Sequence, residues 1–136
     1  MKLDGQFGVS QKAHKIMSAI HSLTDDQKPF NEMADAYLFA FVLGLSSGRK
    51  KDAKPRVNYA NFSTIENAAG NDNFDFIKLL THLGEPSDTD TKENAKKAIE
   101  EYATWGFEKI AEYDRGDGDY RIGELLTEML LDSGKK

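Results

Sequence analysis

Apolar side chains recur along much of this chain at intervals of three and four residues, which is the spacing of one face of an α-helix. Near the N-terminus this spacing predicts an amphipathic helix over 10–22. Ser10 is its expected N-cap, because a serine hydroxyl can accept a hydrogen bond from the first helical turn. The apolar face of this predicted helix consists of Ala13, Ile16, Met17 and Ile20.

The most hydrophobic segment, residues 36–45, is apolar on nearly every side, which is typical of a helix surrounded by other elements. Pro29 disfavours helical backbone at the residue before it, so this helix is predicted to begin after Phe30, with Asn31 as a candidate N-cap. Gly48 and the small residues before it end the helix. We expect the helix to be buried and the segment that follows it to be exposed.

The second half of the chain is predicted to be mainly helical. Ser63 and Glu66 have the spacing of a capping box, and Gly84 followed by Pro86 ends a later helix. A weak alternation of apolar and polar residues indicates one short strand near 57–62. The predicted helices span 64–70, 73–83, 91–113 and 120–132.

Gly106 lies at the centre of the apolar stripe of the longest predicted helix. A glycine inside a helix costs about 1 kcal/mol of helix propensity, so we expect close approach of another helix or of an aromatic ring to compensate. The same glycine would serve a contact within one chain or between two copies. Together these patterns predict an all-α fold, a single helical domain over 1–136 built as a compact bundle of about five to six helices.

The composition narrows the classes of function. The chain has 136 residues, a net charge of −5 and no cysteine, so thiolate metal sites and cysteine nucleophiles are excluded. The longest apolar run has ten residues, half of the roughly 20 that span a bilayer. The first six residues lack the apolar segment of a secretory signal. We expect a cytoplasmic protein with no membrane partner and no general affinity for nucleic acid.

Residues 49–56 nevertheless form a strongly positive loop, with five basic residues and one acidic residue. Clustered cations favour contact with phosphates or with an acidic protein. They also suit a solvated loop that complements the negative end of the preceding helix. Tyr59 and Phe62 follow closely and could stack on bases or be buried. The candidate binding residues of this basic loop are Arg49, Lys50, Lys51, Lys54 and Arg56.

The chain offers no convincing metal or cofactor site. His14 and His21 are seven residues apart, which places them two turns, or roughly 10 Å, apart on one helix, and His82 is isolated. Segment 114–119 resembles a calcium loop only superficially, because its third and fifth positions are glycines where an EF-hand needs oxygen ligands. We therefore predict no bound metal, no cofactor and a simple turn at 114–119.

The acidic residues also lack a catalytic arrangement. Glu100 and Glu101 point about 100° apart on their helix, and together with Glu93 they are predicted to form a hydrated face. No nucleophile elbow, P-loop or dinucleotide-binding fingerprint is present. The sequence therefore predicts a protein that is not an enzyme, and an enzyme of unrecognised type is the remaining alternative.

Three segments resemble one known family. The apolar helix and basic turn between Phe30 and Arg56 are similar to the signature of the small accessory proteins associated with the Dnd (DNA phosphorothioation) system, the fourth in that series. Residues 100–107 resemble the family's Glu-Tyr-Ala-x-x-Gly segment, and the helix at 122–130 fits its end. The resemblance covers about residues 28–131.

The resemblance implies a bacterial protein associated with DNA phosphorothioate modification or the linked restriction of phage. It carries over no catalytic residue. It does match the positive turn of the family to Gly48, Arg49 and Lys50, and the family's glycine to Gly106.

Two non-enzymatic hypotheses follow. The first is an accessory or adaptor protein that binds a protein partner of the modification system, with DNA as a further candidate ligand of the basic loop. The second is a small acidic regulatory or phage-encoded protein that engages the basic surface of a DNA-handling enzyme. Its candidate residues are Glu100, Glu101 and Asp117.

Overall fold

The structure, a computed structural model, describes residues 5–21, 33–61, 76–85 and 90–112. These ranges contain four helices and a two-stranded antiparallel sheet. In chain order the elements are β1 (Gln6–Ser10), α1 (Gln11–His21), α2 (Met33–Ser47), β2 (Arg56–Asn61), α3 (Phe76–Leu83) and α4 (Lys92–Ala111).

The predicted all-α bundle of five to six helices is wrong, because β1 and β2 pair as an antiparallel sheet. The strand expected near 57–62 is present as β2. No pattern in the sequence indicated its partner: β1 has only two alternating apolar residues, Phe7 and Val9, on either side of a glycine. So short an alternation is too weak to predict a strand, and β1 is fixed by pairing with a distant segment.

Several predicted features lie outside the described residues. They are the helices at 64–70 and 120–132, the candidate cap Asn31, the aromatic residue Phe62 and the turn at 114–119.

The start of α1 is fixed by its cap and by the loop beneath it. The Ser10 hydroxyl accepts a hydrogen bond from the Ala13 N–H at 3.1 Å, which confirms the predicted N-cap. The Gln11 N–H donates to the Pro55 carbonyl at 2.7 Å. Ala13 and Met17 are fully buried on the predicted apolar face. The first turn of α1 therefore lies directly against the end of the basic loop.

The two longest of the described helices, α2 and α4, approach each other at two glycines. A methyl group built on Gly106 would overlap the backbone carbonyl of Ala40, and one on Gly44 would overlap that of Tyr102. The expected close approach of another helix at Gly106 is therefore confirmed. Only glycine allows the two backbones to approach this closely.

One side of α2 does not match its predicted environment. Tyr37 and Phe41 are fully buried and Leu38 is partly buried, as expected for a central helix. Val42 is 36% exposed, however, so this side of the helix reaches solvent. A hydrophobic helix can leave single apolar residues exposed at little cost.

Helix α4 is capped by Thr91 and buries one long face. The Thr91 hydroxyl accepts a hydrogen bond from the Asn94 N–H at 3.0 Å. The face of α4 contacts α1, α2 and β1, so this helix joins the sheet to the other helices. Its buried residues include Ala95, Ile99, Tyr102, Gly106, Phe107 and Ile110.

Candidate functional site

The basic loop, residues 49–56, is held in a defined shape by backbone hydrogen bonds. The Lys51 N–H donates to the Glu101 carbonyl on α4 at 3.1 Å, and the Lys54 N–H donates to the Asp52 carboxylate at 3.1 Å. The loop also buries the Ala53 side chain, which is 8% exposed. The basic loop is therefore anchored to α4 at one end and to α1 at the other.

Four lysines line one open depression between α1 and the basic loop. Lys12 and Lys15 come from the first turns of α1, and Lys51 and Lys54 come from the loop. The depression has a volume of about 310 Å³. Two carboxylates, Asp52 and Glu108, also line it, together with Ser10, Gln11 and Pro55. We call this feature the lysine depression.

Glu108 of α4 bridges two of the four lysines. Its Oε1 atom lies 2.8 Å from Lys51 Nζ and 3.1 Å from Lys12 Nζ. The Glu108 side chain is 14% exposed, whereas those of Lys51 and Lys12 are 52% and 73% exposed. The other two lysines, Lys15 and Lys54, form no side-chain ion pair within the described residues. In the depression, two ammonium groups therefore share one carboxylate, and two others form no ion pair within the described residues.

The remaining predicted cations of the basic loop lie elsewhere. Arg49 is exposed at the end of α2, and the Lys50 ammonium lies 5.3 Å from the centre of the Tyr102 ring. Arg56 pairs with Glu100 and does not line the lysine depression. Of the five residues proposed from the sequence, the structure brings together Lys51 and Lys54.

Arg56 makes a part-buried ion pair with Glu100, in which the Glu100 side chain is 8% exposed and that of Arg56 is 37% exposed. Its Nε and Nη2 atoms lie 2.9 and 2.8 Å from the two carboxylate oxygens of Glu100, which is a bidentate arrangement. The Nη2 atom also donates to the Gln6 carbonyl at 3.0 Å, and Nη1 donates to the Asn58 side chain. The hydrogen bonds to Glu100 raise the pKa of Arg56 above its ordinary value.

Glu100 also receives a hydrogen bond from the backbone of β1. The register shifts between Phe7 and Gly8, with Tyr59 as the extra residue of β2. The Gly8 N–H donates to Glu100 Oε2 at 2.9 Å. The prediction that Glu100 belongs to a hydrated face is therefore wrong, since this residue is only 6% exposed.

The aromatic residue nearest the basic loop points into the protein. The Tyr59 ring lies 4.9 Å from that of Tyr37, 5.8 Å from that of Phe107 and 6.3 Å from that of His14, measured between ring centres. Burial raises the pKa of Tyr59 well above its ordinary value. Tyr59, for which the sequence allowed either stacking on bases or burial, is therefore packed among three other aromatic rings.

Tyr37 packs against Tyr59 and is fully buried. Its hydroxyl donates a hydrogen bond to the Gly8 carbonyl at 2.9 Å. Burial raises the pKa of Tyr37 well above its ordinary value, and the nearby Glu100 carboxylate raises it further. Gly8 thus meets Tyr37 through its carbonyl and Glu100 through its N–H.

Sequence reasoning missed Lys12, Lys15 and Glu108 as parts of the site. Lys12 and Lys15 lie on the polar side of α1, and Glu108 lies beside the apolar stripe of α4. Nothing in their local spacing distinguishes them from ordinary surface charges. Only the packing of α1 against the basic loop brings them together.

Within the described ranges, no three metal-ligating side chains cluster in space. Likewise, none of the helices described is both long and apolar enough to cross a membrane.

The fold and the lysine depression define a small helical protein with a two-stranded sheet and a basic surface, on a chain that is acidic overall. The chain belongs to the DNA sulphur modification system-associated protein 4 family, whose model matches residues 7–136. The resemblance to the Dnd-associated accessory proteins is thereby confirmed. The protein is associated with a DNA sulphur modification system. No curated protein and no solved structure matches the chain.

Proposed function

We propose that this protein is a non-enzymatic, cytoplasmic accessory component of a DNA sulphur modification system that binds the DNA backbone through the lysine depression. The observation that supports it most directly is the convergence of four lysines on one surface of a chain with net charge −5. Lysine ammonium groups contact phosphates as point charges and carry little sequence information. The expected binding is therefore electrostatic and independent of base sequence.

The two lysines without ion pairs contribute most to this proposal. Lys15 and Lys54 belong to different elements, and both line the depression. Ammonium groups that line one surface without forming ion pairs of their own attract anions, because binding relieves their mutual repulsion. Arg49 and Lys50 lie at the other end of the basic loop and would extend the same positive surface.

We further propose that the protein acts beside another component of the modification system. Its family is described by association with that system rather than by a reaction. An accessory protein of this kind would hold DNA for a partner that carries out the chemistry. The lysine depression and the basic loop around it are the proposed contact surface.

The alternative, an acidic regulator of a DNA-handling enzyme, has less support. Its principal residue, Glu100, is 6% exposed and paired with Arg56, so it is not available to a partner surface. Glu101 is partly buried. No feature of the described acidic residues favours this function over DNA binding.

The experiment is a DNA-binding titration of the double variant Lys15→Gln, Lys54→Gln. Fluorescence anisotropy of a labelled duplex is measured over a series of salt concentrations. If both lysines contact phosphates, the variant loses about fivefold or more in affinity, and the slope of log K against log salt falls by about 1 to 2. The same variant tests for reduced copurification with components of the modification system.

The matched control is Lys92→Gln, Lys97→Gln, which removes the same charge from the opposite end of α4. Lys97 lies eleven positions before Glu108, or roughly 16 Å along the helix axis. The control should bind within about twofold of the unmodified protein. An equal loss in both double variants would attribute binding to net charge alone. Absence of any salt-dependent binding by the unmodified protein would refute the DNA-binding proposal.

A further inference from the structure

One of the side chains that line the lysine depression, Glu108, is itself an anion. The Glu108 carboxylate accepts from Lys12 and Lys51 through a single oxygen, and both pairs lie at the edge of the depression. A phosphate oxygen would make the same two contacts, because it too is an anionic acceptor that lysine ammonium groups recognise by charge. Glu108 thus stands where a ligand phosphate would meet these lysines.

The pairs with Glu108 are of a kind that exchanges easily. The two lysine side chains are 52% and 73% exposed, so water and salt screen their attraction to the carboxylate. Neither pair is bidentate, and among the residues that the structure describes no backbone N–H donates to Glu108 as that of Gly8 donates to Glu100. A backbone phosphodiester carries the same single negative charge as Glu108, and from a position beside Lys15 and Lys54 its oxygens would face all four ammonium groups.

We propose that the lysine depression binds a single phosphate group, and that Glu108 occupies Lys12 and Lys51 as an internal competitor until phosphate replaces it. This proposal rests on the proposed function for its ligand, the phosphate of a DNA backbone. It assigns Glu108 a defined role: this carboxylate lowers the affinity of the free protein for phosphates. Removing its charge therefore tightens phosphate binding.

The test compares Glu108→Gln with Glu93→Gln. Both variants remove one negative charge from α4, but Glu93 is exposed in the first turn of the helix and does not line the depression. Duplex DNA is titrated by anisotropy as above. Glu108→Gln is expected to bind roughly threefold to tenfold more tightly than the unmodified protein, the range expected for releasing two exposed ion pairs. Glu93→Gln should change affinity by less than about twofold.

A second arm uses inorganic phosphate and separates this proposal from the proposed function. Amide chemical shifts of the full chain are followed during addition of sodium phosphate, with sodium chloride at matched ionic strength as the control. Phosphate is expected to shift amides at 10–15 and 51–55, and to do so at lower concentration in Glu108→Gln. Phosphate binding without duplex binding would uphold the phosphate site and refute the DNA function.

Two results would overturn the proposal. One is duplex binding by Glu108→Gln that is unchanged or weaker, which would mean that the carboxylate orients the lysines instead of competing for them. The other is the absence of phosphate-specific shifts in both proteins. Should Glu108→Gln fold poorly, Glu108→Asp keeps the charge but withdraws it by one methylene. This variant is expected to bind more tightly than the unmodified protein and less tightly than an uncharged one.

Discussion

Two carboxylates of α4, Glu100 and Glu108, lie about two helical turns apart, and each meets a cation of the basic loop. Glu100 is 6% exposed. It accepts hydrogen bonds from two nitrogens of the Arg56 guanidinium and from the backbone N–H of Gly8. Glu108 pairs through one oxygen with two flexible, exposed lysines. The same residue type on the same helix therefore makes a fixed structural contact in one place and an exchangeable surface contact in the other.

The difference follows from the cation and from burial. Arginine presents a rigid planar fork that matches a carboxylate, whereas lysine presents a mobile point charge. The Glu100–Arg56 pair is also the less exposed of the two, because Arg56 is 37% exposed whereas the lysines that meet Glu108 are 52% and 73% exposed, and screening by water weakens an ion pair as its exposure rises. We expect changes at Glu100 to alter stability and changes at Glu108 to alter binding.

The largest effect is expected for Glu100→Gln. This change removes the charged partner of Arg56, whose side chain is 37% exposed and keeps its contacts to Gln6 and Asn58, so the free energy of unfolding should fall by about 1.5–3 kcal/mol. Urea denaturation followed by circular dichroism measures it. Arg56→Lys is the companion variant: it keeps the charge but loses the bidentate geometry, and should cost less than Glu100→Gln. Equal stability of Glu100→Gln and the unmodified protein would contradict a structural role for the pair.

Gly8→Ala tests the same contact from the side of the sheet. A methyl group there would overlap the Val57 carbonyl and lie 3.1 Å from the Arg56 guanidinium carbon, so β1 must move. We expect a loss of about 1–3 kcal/mol, as for other overpacked sites. The control, Gly48→Ala, has no atom within 4 Å of the added methyl but requires a φ of +66°. It should cost about 1 kcal/mol from backbone strain alone.

Alkaline pH is expected to weaken the region around Glu100 through Tyr37. Tyr37 has a raised pKa in the folded protein and an ordinary value of about 10 when unfolded. The folded state therefore holds its proton more tightly, so stability is full below about pH 10 and falls above it. The loss is about 1.4 kcal/mol per pH unit for each such tyrosine until the folded pKa is reached.

Tyr37→Phe isolates this contribution. At neutral pH the variant loses the hydrogen bond to the Gly8 carbonyl and about 1 kcal/mol of stability. Above pH 10 its stability should decline less steeply than that of the unmodified protein. Parallel pH profiles for the two proteins would show that Tyr37 ionises freely in the folded state.

The smallest effect on stability is expected for Glu108→Gln. Its two ion pairs are largely exposed at the lysine ends, so the free energy of unfolding should change by less than about 1 kcal/mol. Thermal unfolding at low and high salt measures this, since screening should reduce even this small difference. A loss as large as that of Glu100→Gln would remove the distinction between the two carboxylates.

The sequence predicted those parts of the fold that depend on local patterns. The cap at Ser10, the buried face containing Ala13 and Met17, and the helix contact at Gly106 are all present. Each rests on spacing or conformational preference within a single helix. Strand β1 could not be predicted in this way, because its conformation depends on pairing with β2 far along the chain.

The candidate site was only partly predictable for the same reason. The basic loop was visible as a run of cations, but sequence cannot tell which of them form ion pairs with α4. Unlike Lys54, Arg56 pairs with Glu100, a contact set by the register of the sheet and the packing of α4. No local pattern in the sequence around Glu100 indicates that this carboxylate is buried.

The anchoring of the basic loop has a consequence for how a ligand would bind. Because hydrogen bonds tie the loop to α4 at Glu101 and to α1 at Gln11, its backbone already has one conformation before any ligand arrives. Binding then forfeits little backbone conformational entropy, and only the lysine side chains must be immobilised. Such a pre-organised surface can hold a polyanion with a few modest charge contacts and still release it quickly.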